Sequence, residues 1–254
     1  MHDFSLAAYS TMLSAFLQAG YQFRKFVSNA TQSSDEPYIL LRHDIDFSLD
    51  YALAVATLEH NLGIVSTFFV LLHSPIYNAL SKRSLEALAA IHQQGHDIAL
   101  HYDLGFVGRQ VLQDRPALHE SIAQELQLLS IACPFICTQV ISFHRPRRHR
   151  LNPSEIQLPA GISHTYDSRY TAAIAYFSDS LSRWGNGHPL DSETFARRLP
   201  MQLLTHPIWW IEPGQGPEEK IASYLGKQRN WLINALEETT VSLSLAGLRE
   251  GASI

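Results

Sequence analysis

Six stretches of this sequence end an apolar run in residues able to bind cations or move protons. His43, Asp44 and Asp46 follow Tyr38–Leu41, and His73 follows Val65–Leu72. His101, Tyr102 and Asp103 follow the run at 97–100, and His144 and Arg145 follow Gln139–Phe143. Asp179 follows a weaker run near 174–177, and His206 one near 201–205. Lysine, glutamate and glycine, the ordinary stock of surface loops, are almost missing from these stretches. Asp44 and Asp46 stand two apart, so on an extended backbone both carboxylates point to one side. Side by side they repel unless one holds a proton or a cation lies between them. A divalent ion resolves this: one carboxylate binds it and the other stays free as a base. Zinc, cobalt or ferrous iron takes mixed imidazole and carboxylate ligands and keeps a position for water. Such an ion makes water acidic near neutral pH and polarises a carbonyl. The rival reading has both aspartates capping the helix that follows, for which Ser48 is the better cap.

The histidines sort by position. His96 and His101 stand at opposite ends of one short strand, roughly 16 Å apart at ~3.3 Å per residue, and cannot share an ion. His96, next to Gly95 at the strand's start, reads as structural. His101, His144 and His206 lie at strand C-terminal ends. His73, His149 and His164, in turns, carry less weight.

The elements that must position these groups alternate. An apolar stripe marks a helix over 5–20, and the polar stretch Ser28–Glu36 reads as a loop. From residue 37 the pattern gives a strand at 38–41, a helix from Ser48 to Leu62 stopped by Gly63, and a strand at 65–72. A helix over about 82–94, stopped by Gly95, precedes a strand at 97–100. A helix at 117–131 then leads to strands at 139–143, near 174–177 and near 201–205. A final helix spans about 217–237, with Ile221, Leu225, Leu232 and Leu236 on one side. Strand and helix in turn imply parallel strands joined by right-handed crossovers. No glycine-rich phosphate loop follows the first strand, so an open nucleotide-binding sheet loses its main support. The expectation is one α/β domain over 1–254, a distorted (β/α) barrel of seven or eight strands, with residues 1–36 as an N-terminal helix and loop. Such barrels collect their functional groups at the C-terminal strand ends.

Bulk properties narrow the classes. The 254 residues are 46% hydrophobic, enough for a substantial core. Only 17% are charged and the net charge is -5, so no basic excess invites nucleic acid. Cys133 and Cys137 make no disulfide framework and suit a reducing compartment. Residues 4–19 are too short and interrupted for a membrane span and no basic leader precedes them, so a cytoplasmic protein is expected.

In kind and order these motifs resemble the polysaccharide deacetylases of the NodB-homology type, the family 4 carbohydrate esterases, over about residues 37–210. Arg42-His43-Asp44-Ile45-Asp46 is similar to that family's Thr-Phe-Asp-Asp-Gly, with one residue inserted between the carboxylates. Ser66–Val70 resembles its second strand, and Gly95–His101 its Gly-His-Glu-Ile-Gly-Asn-His. Phe143-His144-Arg145-Pro146 stands at its arginine-containing motif, Asp179–Trp184 near its Asp-Trp motif, and Leu204-Thr205-His206 at its Leu-x-His. The family's second metal histidine falls here on Gly105.

The resemblance implies a barrel of the deacetylase type and hydrolysis of an N-acyl amide on an amino sugar. Asp44 would be the base and His206 the acid. Asp46 and His101 would hold zinc, or cobalt or iron, with His144 as third ligand and Asp103 as fallback. Arg145 and Asp179 would position and tune these groups. Tyr102, Asp103 and Arg169 would meet substrate, and Trp184 and Trp209 would stack on sugar rings. For Arg169 a solvated role, and for the tryptophans a place in the core, weigh equally. Similar proteins accompany surface-polysaccharide and O-antigen biosynthesis, which implies a small-molecule, nucleotide-linked or lipid-linked substrate. Two alternatives stand: hydrolysis of a non-sugar C–N bond, and a non-catalytic sugar-binding barrel. The last helix, with Trp231, packs on the core or forms a homodimer face.

Overall fold

The computed structural model describes residues 3–26, 36–149, 151–172 and 174–239. The chain begins with α1 (Leu6–Gln18), β1 (Gln22–Arg24), β2 (Tyr38–Ile45), α2 (Leu49–Asn61) and β3 (Thr67–Val70). It continues through α3 (Lys82–Gln93), β4 (Asp97–Asp103), α4 (Arg109–Gln113), α5 (Arg115–Ala132) and β5 (Cys137–His144). β6 (Ser163–His164), α6 (Ser168–Thr171), β7 (Ala175–Ser178), α7 (Glu193–Ala196) and β8 (Met201–Thr205) follow, then α8 (Pro207–Ile211) and α9 (Pro217–Thr239). Most of the expected loop at 28–36 lies outside the described residues. Ser48 does cap α2, its hydroxyl accepting from the Tyr51 N–H at 3.3 Å. Gly63 and Gly95 end α2 and α3 with φ of 72° and 95°, a conformation that glycine adopts at little cost.

Every strand pair is parallel, in the order β6-β5-β4-β3-β2-β8-β7, with β1 alongside β2. Helices between β2, β3, β4 and β5 bring each of these strands back in at the same end of the sheet.

The sheet curls. Side chains alternate along a strand, so Tyr38, Leu40, Arg42 and Asp44 of β2 share one face. Tyr38 and Leu40 meet Phe69 of β3, Ala99 of β4 and Val140 of β5 in an apolar cluster with Phe26, Tyr170 and Ile174. Above them the Arg42 guanidinium donates to Ser142 of β5 at 2.8 Å, to Gln202 of β8 at 3.3 Å, and to Thr165 just past β6. One side chain on β2 can touch all three only if the sheet bends toward closure. That is the expected distorted barrel in its coarse form; among the described residues no ladder joins β6 to β7. The outer face, with Ile39, Leu41 and Ile45 of β2, packs under α1, α2, α3 and α5 through Leu13, Val55, Leu88 and Ile122.

The apolar side read for the last helix changes here. Leu225, Leu232 and Leu236 of α9 do not face the core: they are 60%, 52% and 52% exposed, while Lys220, Tyr224 and Ile233 are buried. Polar bonds set that rotation. The Lys220 ammonium donates to the Phe4 and Glu212 carbonyls at 2.8 and 2.5 Å, and the Tyr224 hydroxyl to the Phe47 carbonyl at 2.7 Å. β1 and β6, of three and two residues, carry too little pattern to be foreseen. Both cysteines are free thiols, Cys133 buried and Cys137 half-buried. Among the described residues no helix is long and apolar enough to cross a membrane.

Candidate metal centre

Alternation decides which groups enter the barrel mouth. The β4–β5 register slips between Ala99 and Leu100, after which His101 pairs with Ser142 and Asp103 with His144. His101 and His144 therefore project from neighbouring strands to the side that Asp44 and Asp46 enter from β2. One ligand atom each from Asp46, His101 and His144 lies within 4.8 Å of the others, among the described residues the one cluster able to hold a metal ion. His101 Nε2 is 3.5 Å from Asp46 Oδ1, and His144 Nε2 is 3.9 Å from it.

The outer nitrogens are already committed. His144 Nδ1 lies 3.1 Å from Asp103 Oδ1, and His101 Nδ1 lies 3.3 Å from the Ser142 carbonyl. Both contacts turn Nε2 toward the shared point, as in rings that bind a metal. Asp46 Oδ1 and His144 Nε2 are buried and have no hydrogen-bond partner in the protein. Buried polar atoms of this kind are rare unless a missing partner belongs there. An imidazole–imidazole–carboxylate set with two orphaned atoms fits a divalent cation. At position 105 a Cβ would meet Asp103 Oδ1 at 3.2 Å and the His149 ring at 3.4 Å, and His144 of β5 is the third residue of the cluster.

Two further groups face this point. The Asp44 carboxylate receives Arg42 Nη2 at 2.7 Å and Nε at 3.2 Å, and lies 3.5 Å from His101 Nε2. Burial pushes Asp44 upward, but the charge of Arg42, with those of His101 and His206, holds it below the usual carboxylate range. Asp46 behaves alike: burial raises it, and the close approach of His101, with the charges of His206, His101 and His144, brings it well down. His206 approaches from β8, its Nε2 4.0 Å from Asp46 Oδ2. Its Nδ1 is 2.6 Å from Asp179 Oδ1; Asp179 Oδ2 accepts from the His206 N–H at 2.9 Å and from Trp210 Nε1 at 2.8 Å. Burial disfavours the His206 cation, yet the Asp179 carboxylate, with smaller help from Asp46 and Asp44, raises it to about 9.

The other residues singled out lie elsewhere. Arg145 is exposed, with φ of 50°, and the guanidinium on Asp44 is that of Arg42. Tyr102 points to the helix layer, its hydroxyl donating to Ser121 at 2.8 Å. Asp103 orients His144. Arg169 is tied to Asp167 at 3.0 Å on the surface. Trp184 and Trp209 are in the core: Trp184 stacks on Phe4, and Trp209 lies edge-on to Phe47. His96 is fully buried, its Nε2 3.0 Å from the Ala56 carbonyl, in keeping with a structural role. His164 contacts the Ile156 carbonyl at 2.8 Å, and His73 stacks on Phe106. Sequence reasoning passed over Arg42. The signal was there, because residues 42 and 44 of one strand share a face.

No family model matches this chain, and no curated protein matches it.

Proposed function

We propose that this chain is a metal-dependent amide hydrolase of the polysaccharide deacetylase type, removing an N-acyl group from an amino sugar, with zinc as its ion. One observation carries the reading. Asp46, His101 and His144 aim ligand atoms, two of them unpartnered, at one point between the Asp44 carboxylate and the His206 imidazole. A binding barrel has no need for a base and an acid on either side of a cation site.

When bound, a divalent ion supplies an electrophile for the amide carbonyl and acidifies water. The chain's own residues manage the protons. Asp44, kept ionised by Arg42, accepts the proton that the attacking water loses. His206, kept protonated by Asp179, donates to the nitrogen as the C–N bond breaks. The Asp103 and Ser142 contacts hold the two imidazoles in one tautomer.

A groove of about 1000 Å³ beside this cleft supports a sugar over a small non-sugar amide. It lies among the start of α2, the β3–α3 connection and α9, and Phe47 and Ser48 line both groove and cleft. That volume is at the top of the ~300–1,000 Å³ range of ligand pockets. Arg83 is paired with Asp50 at 2.8 Å and Lys227 with Glu212 at 2.9 Å, so two of its cations are already balanced. Trp231 remains 46% exposed there. Balanced charges beside a half-exposed indole, with the Arg83 guanidinium 5.8 Å over its ring, suit a hydroxyl-rich ring better than a phosphate.

Elemental analysis and calorimetry with zinc, followed by turnover of N-acetylated amino sugars, test this reading. One zinc per chain is expected, lost in Asp46→Asn and retained in Asp44→Asn while Asp44→Asn abolishes turnover. No binding in excess zinc, or equal turnover by wild type and Asp44→Asn, would overturn it.

A further inference from the structure

Behind the cleft, on the helix-facing side of β2, lies a second polar cluster with no solvent exposure at all: Tyr9, His43, Glu59, Ser66, His96 and Thr205. At its centre is the Glu59 carboxylate of α2. Oε1 accepts from the Tyr9 hydroxyl at 2.5 Å and lies 2.8 Å from His43 Nε2. Oε2 accepts from the Ser66 hydroxyl at 2.6 Å and lies 3.7 Å from His96 Nδ1. A carboxylate removed from water costs several kcal/mol unless donors and cations surround it; here the Tyr9 hydroxyl of α1 and the Ser66 hydroxyl before β3 donate, and the His43 and His96 rings stand close.

His43 Nε2 lies 2.8 Å from the Glu59 carboxylate, which offers only lone pairs and so favours the ring proton on Nε2. That leaves Nδ1 for Thr205, whose Oγ1 is 2.7 Å away. In the neutral ring the threonine hydroxyl donates and Nδ1 accepts.

His43 and Thr205 are also the last register pair of the β2–β8 ladder. One residue on, the backbones separate: Asp44 enters the cleft from β2, and His206 leaves β8 with its N–H bonded to Asp179 rather than to β2. Beyond that pair no further register pair joins β2 to β8. The His43–Thr205 contact joins the side chains of that last pair.

We propose that His43, oriented by Glu59, is a positioning residue that acts through Thr205 to fix the acid His206 relative to the two aspartates. The inference rests on the hydrolase reading for its kinetic consequence but not for its geometry. The test uses zinc-loaded Thr205→Val, which keeps shape and loses the hydroxyl, and Thr205→Ser, which restores it; Thr205→Ala replaces valine if that variant does not fold. Expected is a loss of at least tenfold in kcat for Thr205→Val, with KM and zinc affinity within twofold, and recovery to within threefold in Thr205→Ser. The His206 ring resonances in ¹H–¹⁵N spectra should move in Thr205→Val and return in Thr205→Ser. Unchanged kcat and unmoved resonances in Thr205→Val, or Thr205→Ser behaving like Thr205→Val, would overturn the proposal. If wild type hydrolyses no N-acyl sugar, the hydrolase reading fails, and the ring resonances alone decide the clamp.

Discussion

Asp179→Asn isolates the charge that holds the His206 proton. The Asp179 carboxylate is the largest influence raising His206 to about 9, from an ordinary value of 6.5 and against a burial effect that alone would lower it. Removing the charge while keeping the shape should return the ring to 6.5 or below. That fall of roughly 2.5 units corresponds to about 3 kcal/mol. At pH 7.5 the protonated fraction drops from ~97% to ~9% or less. The assay is the ring Cε1–H shift against pH in metal-free protein, wild type beside variant. Stability should follow with a definite sign. A histidine raised in the fold stabilises it fully below pH 6.5, and that contribution fades as pH rises through about 9. Wild type should therefore exceed Asp179→Asn by about 3 kcal/mol more at pH 6 than at pH 10. A His206 that titrates near 6.5 in wild type, or that shifts by under half a unit in the variant, would refute the electrostatic account of the acid.

Glu125 of α5 is buried with neither oxygen hydrogen-bonded; burial, with the charge of Asp103, raises it from 4.5 to about 8. As pH rises from 4.5 to 8, wild type should lose up to about 5 kcal/mol relative to Glu125→Gln; parallel denaturation profiles would contradict this. Arg42→Lys keeps the charge but cannot match the fork on Asp44 and its bonds to Ser142, Gln202 and Thr165. It should cost about 3–5 kcal/mol in urea unfolding, and clearly less in an Asp44→Asn background. Trp231→Ala should raise KM for a saccharide substrate several-fold and leave kcat and zinc binding unchanged, as steady-state kinetics and calorimetry would show.

Alternation along strands made much of the centre legible from sequence. Asp44 with Asp46, and His101, His144 and His206 at the strand ends, do converge, and β8 spans the expected 201–205. The same rule carried further would have turned Arg42 inward with Asp44, and Tyr102 and His43 outward, since each neighbours an inward residue. What sequence hides is what packs across the layers. Nothing in the pattern of α2 says that Glu59 turns back to meet His43 of the strand just before it. Trp184 and Trp209 carry the same apolar mass in a groove as in a core. The α9 leucines follow helical spacing, but the bonds of Lys220 and Tyr224 rotate them to the surface.

Arg42 has a consequence for the order of events. Its guanidinium neutralises Asp44 from within the barrel, leaving Asp46, whose Oδ1 has no hydrogen-bond partner, to face the three histidines. The strands can thus assemble around a built-in cation before any ion arrives, sealed at one end by Phe26, Tyr170 and Ile174 and open at the other. On the hydrolase reading, an ion would then load late, through the open end of the described barrel.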